Sequence, residues 1–237
     1  MQFVKKTLPL ALGLSVPVLA LAGCPIPGLG TNPTPTPTSA ATTPATTTRT
    51  TAVFTEVAIG TSSDAARTFK VMNLGSAAAD LTKYAVSYEY KDSTGKKWVH
   101  ARIVGPSDAT VSVAAASEIT VAQTVGCTSG YCLKLDQSGL GSSQGVTKLG
   151  LQATHGSLVL YKGISAAAEL TSANLLDYVQ YGDVKQYNNS DNWTHAQAAV
   201  DAKVWDSLTA TASAPGADGK IGVTTAGATG ASKWKKL

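Results

Sequence analysis

Tyr84-Ala85-Val86-Ser87-Tyr88-Glu89-Tyr90 sets three rings and a valine on one side of the chain and small or polar groups on the other. Successive side chains of an extended chain point to opposite faces, so this strict period of two marks a strand with unlike faces. The same period returns upstream, where Val53, Thr55, Val57 and Ile59 alternate with Phe54, Glu56 and Ala58. Further strands are predicted over 68–72, 98–104, 118–122, 131–136, 157–162 and 175–181, separated by turns rich in Gly, Ser, Asp and Asn. No strand–helix–strand rhythm interrupts them. The folded part, 51–237, is therefore expected to be all-β, an antiparallel sandwich or barrel around one core.

One segment departs from that period. Thr194-His195-Ala196-Gln197 has the form of a helix capping box, and Ala196, Ala199, Val200 and Val204 follow at helical spacing. A short helix is predicted over 196–205, packed on an end or side of the sandwich. The tail 207–237, rich in Ala, Thr and Gly, reads as mostly loop.

The order of these pieces resembles the lamin tail domain, an immunoglobulin-like sandwich. Three stretches carry the likeness. Val53-Phe54-Thr55-Glu56-Val57 is similar to the family's opening strand. Phe69-Lys70-Val71-Met72-Asn73-Leu74-Gly75-Ser76, followed by Ala79-Asp80-Leu81-Thr82-Lys83-Tyr84, is similar to its strand, Asn-x-Gly turn and Asp-Leu segment. Leu158-Val159-Leu160-Tyr161 and Leu176-Asp177-Tyr178-Val179-Gln180-Tyr181-Gly182 resemble its closing hairpin. Lys70 stands where the family usually has Glu, and Tyr84 replaces a frequent Trp. In physical terms, Asn73 and Gly75 suit a turn with unusual backbone angles, Asp80 can accept from neighbouring amides, and Leu81 and Tyr84 face the core. The resemblance implies an immunoglobulin-like antiparallel β-sandwich over 51–182, with a C-terminal extension over 183–237 that carries the short helix and is packed on the sandwich or partly disordered.

The N-terminus has a different character. Lys5 and Lys6 precede an apolar run ending in Leu21-Ala22-Gly23-Cys24. This resembles a bacterial lipoprotein signal, too short and too interrupted by Pro9, Gly13 and Pro17 to be a spanning helix. The resemblance implies removal of 1–23 and acylation of Cys24, where each buried methylene contributes about 0.8 kcal/mol to membrane anchoring. Pro25, being other than Asp, fits sorting to the outer membrane or cell surface of the bacterial envelope. From 24 to 50 the chain is a Thr/Pro-rich linker centred on Asn32-Pro33-Thr34-Pro35-Thr36-Pro37-Thr38. Such a segment buries too little to order itself and is expected to be a disordered spacer with a reach on the order of 80 Å.

Lipidation of Cys24 leaves Cys127 and Cys132 as an even pair in an oxidising compartment. The spacing is not Cys-x-x-Cys, and no second pair completes a zinc shell. A disulfide closing so short a loop contributes roughly 2 kcal/mol, enough to staple a corner.

The search for chemistry returns little. Loss of Lys5 and Lys6 from 19 basic side chains leaves 17 against 15 acidic ones, a balance that makes no strong electrostatic case for nucleic acid. His100, His155 and His195 read as surface or capping residues rather than bases, and no Gly-x-Ser-x-Gly, His-Glu-x-x-His or phosphate-binding motif occurs. Glu56, Asp80, Glu89, Asp92 and Glu118 carry no spacing that selects an acid–base pair. No metal or cofactor is expected. The suggestive surface is Tyr187, Asn188, Asn189, Asp191, Asn192 and Trp193, aromatics beside amides that suit a carbohydrate or protein ligand. Lys233-Trp234-Lys235-Lys236 mixes charge with an indole, a pattern compatible with nucleic acid or anionic lipid, against which stands a tail with Trp234 folded back on the sandwich. The expectation is a non-catalytic, membrane-anchored lipoprotein with a binding or structural role at the envelope. The alternative is an envelope-associated hydrolase of glycan or nucleic acid.

Overall fold

The computed structural model describes residues 52–60, 67–135, 149–163, 171–183 and 195–237. The signal and linker with Cys24, part of the insertion following Cys132, and the ligand candidates Tyr187, Asn188, Asn189, Asp191, Asn192 and Trp193 lie outside the described residues. Within them the chain is all-β. Its strands are β1 (Ala52–Ala58), β2 (Thr68–Asn73), β3 (Ala79–Asp80), β4 (Tyr84–Asp92), β5 (Gly95–Val104), β6 (Ser112–Val113), β7 (Glu118–Val125), β8 (Tyr131–Leu135), β9 (His155–Lys162) and β10 (Leu175–Gly182). There follow one helix, α1 (Ala196–Asp201), and strands β11 (Lys220–Val223) and β12 (Trp234–Lys236). Each strand expected from alternation has its counterpart.

Among the described residues ten strands form one sheet in the order β10-β9-β4-β5-β8-β7-β2-β1-β11-β12, and β3 pairs with β6 apart from it. All its strand pairs are antiparallel except β7–β8, where the register also slips between Val121 and Val125. The sheet curls until β1 meets β10, and the enclosed side chains form the core, among them Phe54, Phe69, Tyr88, Leu133, Leu158 and Val179. Phe54 and Phe69 meet edge to face, 5.6 Å between centroids at 87°, a favoured geometry for aromatic quadrupoles.

β1 does not keep the single phase that its sequence suggests. Pairing with β2 passes from Phe54 opposite Val71 directly to Glu56 opposite Lys70, so Thr55 is an extra residue in a bulge. The bulge switches the core-facing set from Ala52 and Phe54 to Val57 and Ile59. Val53 and Thr55 therefore do not share the inward face with Val57, as a uniform period of two would require.

The turn after β2 is built by a side chain rather than by glycine strain. Asn73 is buried; its carboxamide accepts from the Gly75 amide at 2.9 Å and donates to the carbonyls of Ala77 (2.8 Å) and Val113 (2.9 Å). Gly75 itself takes no left-handed φ. Asp80 accepts from the Thr82 amide at 3.1 Å at the start of a 3-10 turn, and Leu81 and Tyr84 are buried in the core.

Cys127 and Cys132 form a disulfide with Cα atoms 5.9 Å apart, between β7 and β8, and Gly126 (φ 74°) and Gly130 (φ 71°) supply the left-handed angles of that corner. The C-terminal tail is more than loop. β11 pairs with β1, and β12 pairs with β11 at the sheet edge, burying Trp234 and leaving Lys235 and Lys236 exposed. Lysines on an edge strand oppose unwanted strand addition. Composition concealed these strands because each is only three or four residues long.

Candidate functional site

The second face of β4, opposite the ring-bearing one, is where chemically capable groups collect. Register places Ser87 between His100 of β5 and Val159 of β9, and Glu89 between Trp98 of β5 and Ser157 of β9. In β10, Tyr178 lies opposite Val159 and Gln180 opposite Ser157. Cross-strand partners share a face, so two rows form: His100, Ser87, Val159, Tyr178, then Trp98, Glu89, Ser157, Gln180. Alternation predicted this polar face but not its burial. Ser87, Glu89, Ser157 and Gln180 are all buried.

His195, the residue at the N-cap of α1, reaches this face. Its Nε2 lies 3.1 Å from the Ser87 hydroxyl and its Nδ1 2.6 Å from the Tyr161 hydroxyl. Burial raises the Tyr161 pKa, with the Glu89 charge adding to it, so the phenol keeps its proton. The neutral ring then donates to one of the two hydroxyls and accepts from the other. Thr194, which opens the predicted capping box, lies outside the described residues; His195 at the N-cap makes no side-chain cap bond, and Gln197 bonds forward to Asp201 at 2.7 Å.

His100 packs between Trp98 (4.8 Å between ring centroids) and His195 (5.7 Å). Burial lowers its pKa to about 4. Burial, with smaller contributions from His100 and Lys96, lowers that of His195 to about 3. Both imidazoles are neutral near pH 7. Among the described residues the buried His100 Nδ1 and Ser157 hydroxyl have no hydrogen-bond partner.

Ser87 beside His195 has the heavy-atom distance of a nucleophile–base pair. Its surroundings give it another task. Ser87 has no accessible surface in the middle of a strand paired on both sides, and a base with a pKa near 3 has little capacity to take a serine proton. The imidazole is a polar cross-link from α1 to β4 and β9.

The histidines thus differ from the surface reading that their turn and strand positions suggested. His100, His155 and His195 are 6%, 8% and 5% exposed. His155 is held by the Lys91 carbonyl 2.8 Å from Nε2 and the Thr154 hydroxyl 2.8 Å from Nδ1. His195 and the β4–β5 face that carries His100 bury one another, and His155 is held against Lys91, contacts between segments distant in sequence that no local pattern reveals.

The acidic candidates scatter. Asp80 and Asp92 accept from the backbone and hydroxyl of Thr82 and Thr94, bonds that lower both carboxyl pKa values. Lys70 joins two others, 3.6 Å from Glu56 and 3.3 Å from Glu118, and Lys220 adds a contact to Glu56 at 3.5 Å. Glu89 lies on the buried face described above. Among the described residues no group of three or more His, Cys, Asp or Glu is placed to hold a metal ion. No described helix is long and apolar enough to cross a membrane. A shallow opening of about 230 Å³ lies beside Ala58, Gly60, Gly219, Lys220 and Leu237.

Comparison of the chain with family models, with characterised proteins and with solved structures finds no match in any of the three.

Proposed function

We propose that this chain is a bacterial envelope lipoprotein, tethered through acylated Cys24 and a Thr/Pro spacer, whose lamin-tail-like sandwich serves as a non-catalytic binding or structural module. The observation that carries the reading is the sealed Ser87–His195–Tyr161 cluster. The arrangement closest to catalytic chemistry holds a helix on a sheet and offers substrate no approach.

The sandwich reading has its own support. Among the described strands β7–β8 is the one parallel pair of the sheet and its register slips, and the disulfide corner turns the chain there. Dividing the sheet between these two strands gives two layers, β10-β9-β4-β5-β8 and β7-β2-β1-β11-β12, with the core between them. The buried Asn73 turn, the Asp80 cap and buried Leu81 and Tyr84 fit the scaffold roles implied by the family resemblance.

Incubation of the purified full chain with envelope polysaccharides and DNA separates this reading from a hydrolase. No turnover is expected, with retention of one class of envelope glycan or protein in a binding array. Turnover that disappears in Glu89→Gln would replace the module with an enzyme.

A further inference from the structure

We propose that His195, seated against His100, is an acid-sensitive latch that holds α1 on the β5–β4–β9–β10 face and releases it as the surroundings acidify. The geometry begins with how little else fastens α1. It has six residues, too few to hold helical form alone in water, and its N-cap residue His195 makes no side-chain cap bond. Its buried contacts are the methyl groups of Ala196 and Ala199, while the two ring bonds of His195 supply the polar attachment.

The chain just beyond is secured differently. Lys203 adopts a left-handed φ of 57°, and past it Val204 and Trp205 are buried, with Trp205 edge to face on Tyr178 at 5.3 Å. Gln180 Nε2 donates to the carbonyls of Leu208 and Ala210, both at 3.1 Å, and the Ala212 amide donates to the Gln180 carbonyl at 2.8 Å. The Val204 and Trp205 amides donate to the Ala199 carbonyl at 3.0 and 3.3 Å, so the last turn of α1 is hinged to this strap. The first turn, which carries His195, can lift while the strap stays.

The groups facing the pair decide the direction of the response. β5 presents Lys96, Trp98, His100 and Arg102; β4 presents Ser87, Glu89 and Lys91; β9 presents Ser157 and Tyr161; β10 presents Tyr178 and Gln180. Asp201, on α1 itself, is exposed and bonded to Gln197. Glu89 acts on Tyr161, whereas His195 is influenced by His100 and Lys96, both of which oppose a positive charge there. A proton therefore binds the opened form better than the closed one. Taking both rings from their depressed closed-state values to ordinary ones on opening, each imidazole increases the open population about twentyfold between pH 7 and pH 5, and the two together several hundredfold.

Amide hydrogen exchange on the full chain, expressed as protection factors between pH 7 and pH 5, tests the latch. The amides of Ala199 and Ala202 in wild type should lose several hundredfold protection, should stay less protected than those of Val86 and Leu160 at both pH values, and should exchange with little dependence on low denaturant, as a local opening requires. In His100→Phe, which keeps a ring beside Trp98, the α1 response should fall to about twentyfold. Constant α1 protection in wild type overturns the proposal, and so does α1 protection equal to that of the sheet with the same denaturant dependence, which signals exchange through global unfolding. An unchanged response in His100→Phe overturns the pairing of the two histidines.

Discussion

The backbone amide of Phe54 donates to the carboxylate of Asp177 at 2.8 Å, across 123 residues of sequence. β11 pairs with β1 from Glu56 to Ala58, so it stops short of Phe54. The β10 register shifts between Leu175 and Asp177, so a bulge on each strand lies at this contact. The bond therefore ties the two strands that the curl of the sheet brings together. Asp177→Ala should lower stability by about 2–3 kcal/mol, since it strands a buried amide that a charged acceptor now satisfies. Asp177→Asn, which keeps an acceptor oxygen, should lose about 1 kcal/mol. Denaturant unfolding at unchanged m-value measures both, and equal losses would argue against the charged bond.

Acid should weaken the whole fold through His100 and His195. Their folded pKa values, about 4 and about 3, lie below the ordinary value of 6.5, so the unfolded chain binds protons first. The stability they contribute is complete above pH 6.5 and is lost as pH falls toward those folded values. At pH 5 the loss is up to roughly 2 kcal/mol per histidine. Denaturant midpoints at pH 7 and pH 5 report it; a flat profile over that interval would contradict neutral burial of the rings.

Gly182 ends β10 at φ 87°, where an added Cβ would lie 1.9 Å from the Thr154 carbonyl oxygen. Gly182→Ala should destabilise by more than 3 kcal/mol or prevent folding, because backbone meets backbone and nothing flexible can yield. Gly126→Ala is the control: φ is 74° but the space is open, so only the left-handed backbone penalty of about 1 kcal/mol applies. Thermal unfolding of the two variants should rank them in that order, and equal effects would remove the steric argument.

Loss of the Cys127–Cys132 bridge should be mild. Their separation of five residues closes a short loop, so the double Ala variant should lose about 2 kcal/mol and keep the fold. Circular dichroism showing collapse of the β signal would give the bridge a larger role than a corner staple.

The strands were legible because their alternation is local. Tyr84 to Tyr90 announces two unlike faces whatever covers them. What covers them was not legible: Ser87 and Glu89 are polar, and only the arrival of His195, 108 residues after Ser87, turns that face into an interior. The same reason hid the histidines, which a strand or turn position places outside until a distant segment buries them. Thr55 shows a second limit, since no residue type there signals the bulge that reverses the phase of β1. The Asp80 cap and the burial of Leu81 and Tyr84 were readable, because the cap is local and the apolar pair follows it directly.

Membrane partition of the full chain expressed in an exporting bacterium, compared with Cys24→Ser, tests the tethered-module account most directly. The account predicts that wild type enters the detergent phase with acyl mass on Cys24 and that Cys24→Ser moves to the aqueous phase. Identical partition of the two proteins, or an unmodified Cys24 in the wild type, would contradict it.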